Sequence, residues 1–205
     1  MPSDRGDQVR TTMIQMIKSL FGNKDSKQPA CSTGGAYTVD DHDKVHLLTD
    51  VPQSSVGAPN PVIIASEHNL FVAFYGDRSE PKWDGKSCRV VSPDTISEPV
   101  VVVRFNRVSA HFFGPPNDEA FNGHPLYSRG LQPYGAFEVL SSSWIRALER
   151  MNSVHPRHSH QLFSDYRHLI LSFHDSIFEC IAHGYTLEYP SGSLRSIASS
   201  LALSL

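Results

Sequence analysis

The segment RHLILSFHDSIFECIAHGY, residues 167–185, limits what this chain can fold into more than any other stretch. Apolar side chains recur at every second position on both sides of a His-Asp-Ser turn signal, and a β-hairpin with one buried face satisfies that period. A two-residue turn at Asp175 and Ser176 sets Phe173 opposite Phe178, Leu171 opposite Cys180 and Leu169 opposite Ala182, an apolar face. The other face then pairs His168 with His183, Ile170 with Ile181 and Ser172 with Glu179. A three-residue loop would scatter the apolar set. A face of this mixed character can line a binding cavity.

Other strands follow from composition. PVIIASEHNLFVAFYG, from Pro61, reads as a second hairpin, CRVV as a short strand, and PVVVVRFNRV as a strand buried on both sides and central in its sheet. GAFEVL adds another strand. Ser141 to Ser143 then offer N-caps for a helix in which Trp144, Ala147, Leu148 and Met151 form one apolar stripe while Arg146, Glu149 and Arg150 face out. Between these lie a Pro- and Gly-rich connection over residues 114–135 and a polar, loop-like HPRHSH stretch. Residues 8–21 can form a short amphipathic helix. The fold class is α+β: mainly an antiparallel twisted β-sheet with one central helix packed on its apolar face. The expected organisation is a helix and poorly ordered arm over residues 1–60, one domain over 61–189, and a tail over 190–205.

Charge excludes some functions. Charged residues make up 19% of the chain and the formal net charge is −3, so nothing favours a nucleic-acid partner. No apolar run approaches the ~20 residues of a membrane helix. Cys31, Cys88 and Cys180 are too scattered for a metal-ligand spacing, and they suit a reducing, cytoplasmic compartment.

Six of the eleven histidines fall within residues 155–183, which invites a metal reading. Opposed strand residues have Cβ atoms about 4.5–5.5 Å apart, so His168 and His183 could share a zinc ion. Glu179 lies about 13 Å along the strand from His183 and cannot join that ion. A third ligand would have to come from His111, His124, Glu138 or His155. In an extended segment His158 and His160 also point the same way, although their setting is that of a solvated loop. Cys180 lies on the face opposite His183, which removes it as a nucleophile served by that histidine. His174 and Asp175 at the hairpin tip are acid–base candidates, and ordinary turn chemistry explains both.

FGPPNDEAFNGHPLYSRGL, FEVLSSSWIRALERMNSVH and RHLILSFHDSIFECIA together resemble bacterial proteins of an uncharacterised family. The resemblance spans roughly residues 61–185. It implies that the N-terminal arm and C-terminal tail lie outside the shared domain, and it brings no activity, ligand or catalytic residue. The leading expectation is a soluble, cytoplasmic, non-catalytic module that binds a small molecule or protein through its histidine-lined sheet face. One alternative is a small metal-assisted hydrolase or lyase using His168 and His183. Another is a homodimeric structural protein assembled through exposed sheet edges or the N-terminal helix.

Overall fold

A computed structural model describes residues 37–78 and 90–205. The helix expected over residues 8–21 lies outside the described residues, as do Cys31 and Cys88. Val90 and Val91, the described half of CRVV, are not in a strand.

Among the described residues nine strands form two sheets. In chain order they are β1 (Lys44–Leu47), β2 (Val62–Ala65), β3 (Leu70–Tyr75), β4 (Val100–Asn106), β5 (Ala110–Gly114), β6 (Ala136–Leu140), β7 (Arg167–Ser172), β8 (Ile177–Ala182) and β9 (Gly184–Glu188). One sheet has the order β1-β6-β7-β8-β5 and the other β2-β3-β4-β9, with every pairing antiparallel. The protein is therefore α+β and dominated by antiparallel sheet. The valine run of β4 lies between β3 and β9, as its continuous apolar character requires.

The two sheets pack face to face. Leu169, Leu171 and Phe173 with Phe178, Cys180 and Ala182 form the apolar face of the hairpin, and it meets Leu70, Val72, Phe74, Val101, Val103 and Phe105 of the second sheet. Phe173 sits edge-on to Phe74 with ring centroids 5.3 Å apart, and Phe178 lies 5.2 Å from Phe105. Each such ring contributes ~1.5–3 kcal/mol by leaving water. The cover on this face is thus another sheet, in place of the helix expected there. A sheet and a helix can each bury a period-two stripe, so the stripe alone does not choose between them.

The helix itself, α1 (Ser143–Asn152), begins where expected and buries less than expected. Its N-cap Ser142 accepts from the Trp144 and Ile145 amides at 3.2 and 3.3 Å. Asp43 adds a carboxylate at the same helix end, accepting from the Ser143 amide at 2.7 Å. Only the first turn docks: Trp144 is buried, while Met151 is 72% exposed. A four-residue helix, α2 (Gln161–Ser164), follows, and α3 (Leu194–Leu203) closes the chain. Leu194 and Ile197 of α3 cover Phe71, Ala73, Val100 and Val102 on the outer face of the second sheet. Residues 190–205, expected as a tail, thus supply a core layer. Lys44–Leu47, expected within a poorly ordered arm, is an edge strand that pairs with β6.

The hairpin keeps its predicted faces and changes its register. Ser172 pairs with Ile177, Ile170 with Glu179, His168 with Ile181 and Arg167 with Ala182. The turn is centred on His174 and Asp175, closed by the Phe173 amide donating to the Ser176 carbonyl at 2.9 Å. Moving the turn by one residue moves every partner by two, so the faces survive and the His168–His183 pair does not. His183 instead carries the chain alone from β8 in one sheet to β9 in the other.

Candidate functional site

The outer face of the first sheet is roofed by the connection over residues 115–135 and by the segment starting at Tyr37. Phe121, Leu126 and Leu131 pack on Phe137, Val139, Ile170 and Ile177. Beneath this apolar roof lie three polar side chains, His124, His168 and Glu179, all with 7% or less of their surface exposed. The register explains two of them. With Ile170 opposite Glu179, His168 is the diagonal neighbour of that carboxylate, within reach for a ring and a long acid.

Glu179 accepts three hydrogen bonds. His168 Nε2 donates to Oε2 at 2.9 Å, Tyr37 Oη to the same oxygen at 2.6 Å, and His124 Nε2 to Oε1 at 3.0 Å. The far nitrogen of each imidazole fixes the tautomer. His124 Nδ1 accepts from the Leu126 amide at 3.1 Å, and His168 Nδ1 faces the Ser142 hydroxyl at 2.9 Å. The Ser142 oxygen already accepts from two amides, so its proton points to His168. Both rings therefore carry a proton on Nε2 and aim it at the carboxylate. Burial pushes the Glu179 carboxyl up, but the hydrogen bonds donated by His124 and His168 outweigh it and hold the pKa at about 2. Burial and the adjacent carboxylate push the Tyr37 hydroxyl well above the ordinary phenol range. Tyr37 and Trp144 stack at 5.1 Å, and each presents its ring edge-to-face to His168.

This network is a clasp. It joins the Tyr37 segment, the connection over residues 115–135, the start of α1 and the sheet through one anion, with every histidine nitrogen in use. His168 has no lone pair left for an ion. Of the ligands expected to join it, His124 converges, on the carboxylate. His183 is displaced by the register and lays its ring against Tyr166 at 4.7 Å. His111 is exposed on edge strand β5, and His155 accepts from the Arg157 amide in a turn. Glu138 holds Arg167 through two contacts of 2.9 and 2.6 Å. At the hairpin tip His174 Nδ1 and Asp175 Oδ1 lie 2.9 Å apart on the surface, and the hydrogen bond to Asp175 raises the imidazole pKa.

A concave site opens beside the clasp. The cleft of about 460 Å³ is bounded by Val139, Ile145, Arg146, Phe163, Tyr166 and Arg167. Its floor contains Ser142, the residue that caps α1 and donates to His168, so cleft and clasp share a hydroxyl. Next to it Ser141 holds a left-handed backbone, φ 52°, which turns the chain sharply from β6 into α1. Arg146 reaches back to the Ser141 carbonyl and pairs with Asp40 at 2.5 Å. Nothing in the local sequence marks this cleft, because its walls come from elements some twenty residues apart.

No family model matches the chain, and neither a curated protein nor a solved structure matches it. The resemblance to uncharacterised bacterial proteins therefore lends no residue role to the site. Among the described residues no helix is long and apolar enough to cross a membrane.

Proposed function

We propose that the protein is a non-catalytic binding domain whose ligand occupies the cleft between β6, β7, α1 and α2. The observation that carries this reading is the cleft's composition: aromatic and aliphatic walls from Phe163, Tyr166, Val139 and Ile145, with the guanidinium groups of Arg146 and Arg167 at the polar side. A volume of about 460 Å³ suits a small organic molecule. The chemistry fits an aromatic or apolar body with one anionic group, which would share the arginines with Asp40 and Glu138. The sealed clasp behind the cleft supports binding over catalysis, since Glu179 and both histidines are saturated and shielded from solvent. The buried, free thiol of Cys180 is in keeping with a reducing, cytoplasmic setting.

The dye 1-anilinonaphthalene-8-sulfonate has this chemistry and reports its own burial. Titration should saturate at one site per chain, and Ile145→Trp, which fills the cleft from the half-buried face of α1, should weaken that binding at least tenfold. Equal binding by wild type and Ile145→Trp would place the dye elsewhere and end the proposal.

A further inference from the structure

The second histidine cluster, which sequence spacing assigns to a solvated loop, is organised by tertiary structure around the end of α1. After Asn152 the chain folds back through two tight turns, with the His155 amide donating to the Asn152 carbonyl and the His158 amide to the His155 carbonyl, both at 2.9 Å. This return lays the His158 ring over the last turn of α1, where Glu149 and Asn152 are neighbours three residues apart. His160 stands at the start of α2, with its Nδ1 against Glu149 Oε1. One ligand atom from each of Glu149, His158 and His160 lies within 4.8 Å of the other two.

The state of His158 is more telling than the proximity. Its Nδ1 is 3.1 Å from Asn152 Oδ1, and with that oxygen as acceptor the ring proton sits on Nδ1. The lone pair is then on Nε2. That nitrogen is buried, has no hydrogen-bond partner, and lies 3.8 Å from Glu149 Oε1. It is the one histidine nitrogen among the described residues left in this condition. A buried acceptor without a donor costs ~1–3 kcal/mol, and a cation beside the carboxylate would remove that cost. An amide oxygen that fixes one imidazole nitrogen and turns the other inward is the usual outer support of a metal-bound histidine.

We propose that Glu149, His158 and His160 form a binding site for one divalent transition-metal ion of the zinc class. Two imidazoles and a carboxylate suit a borderline cation at about 2.0–2.2 Å from each donor, and three protein donors leave a fourth position open. His160 has 89% of its side chain exposed, so that position faces solvent. Phe163 shields the other side, its ring 5.9 Å from that of His158. The same phenylalanine lines the cleft. The metal site nevertheless stands on its own residues and not on the cleft reading.

The test uses the full chain stripped with a chelator and then titrated with zinc against a chromophoric competitor. Wild type should bind one equivalent that is lost or weakened at least tenfold in His158→Ala and in Glu149→Gln. Asn152→Ala, which removes only the support, should weaken it about tenfold. Cobalt should give visible ligand-field bands in wild type that His158→Ala abolishes, while His183→Ala leaves affinity and bands unchanged. Glu149→Gln preserves side-chain shape and keeps the test valid if His158→Ala disturbs the turn. Absence of zinc uptake by wild type, or unchanged binding in both His158→Ala and Glu149→Gln, would overturn the proposal.

Discussion

Replacing Glu179 by glutamine removes the charge at the centre of the clasp and keeps its shape. The carboxyl pKa falls from its ordinary value of 4.5 to about 2 in the fold. At about 1.4 kcal/mol per pH unit, ionised Glu179 contributes on the order of 3 kcal/mol of stability at neutral pH. A depressed carboxyl pKa gives stability that is present above the unfolded value and lost as pH falls through the folded one. Glutamine also introduces a donor where only donors point. His124 cannot change tautomer to receive it, because its Nδ1 already accepts from the Leu126 amide. Urea denaturation at neutral pH should therefore show Glu179→Gln less stable by about 3 kcal/mol. Repeated between about pH 5 and pH 2, the gap should close, since protonated wild type then resembles the variant. A gap that stays constant over that range, or a variant as stable as wild type at pH 7, would refute the account of the clasp.

Two further outcomes follow from named contacts. Ser142→Ala deletes the cap of α1 and the donor to His168 together, and it should cost about 1–3 kcal/mol with loss of exchange protection at the Trp144 and Ile145 amides; protection equal to wild type would show the cap to be idle. Cys180 has 0% exposure and burial pushes its thiol well above the ordinary range, so in a Cys31→Ser, Cys88→Ser chain a thiol reagent should label it only at the rate of global unfolding; complete native-state labelling within minutes would contradict its burial.

The hairpin shows how far local pattern reaches. The period of two placed Leu169, Leu171, Phe178 and Cys180 on the core face and His168 and Glu179 on the other, because side-chain alternation is a property of the extended backbone itself. It left the register open, since Leu171 packs equally well opposite Phe178 or Cys180. The choice is made at the tip, where the Asp118 amide donates to the His174 carbonyl at 2.9 Å and Ser172 binds the carbonyls of Gln132 and Gly135 at 2.9 and 3.1 Å. Those partners lie 37 or more residues away. The edge strands β1 and β5 are not legible for a related reason: each is only four or five residues long, pairs on one side alone, and gains its order from the neighbour already in the sheet.

The sites divide along the same line. Histidine abundance, the faces of the hairpin, the cap of α1 and the mainly antiparallel α+β class are all local consequences of residue type and spacing, available to the chain before it folds. Tyr37 meeting Glu179 across 142 positions is not. Nor is Glu149 meeting His158 and His160, or the cleft between β6 and α2. Each requires segments to be held within a few ångströms by more than local spacing: Tyr37 and the cleft walls by the packing of the sheets and their covering layers, Glu149 and the two histidines by the return of the chain over the end of α1. Charge and hydrogen-bond geometry act over that distance, so the chemistry of this protein is settled only when the core is built.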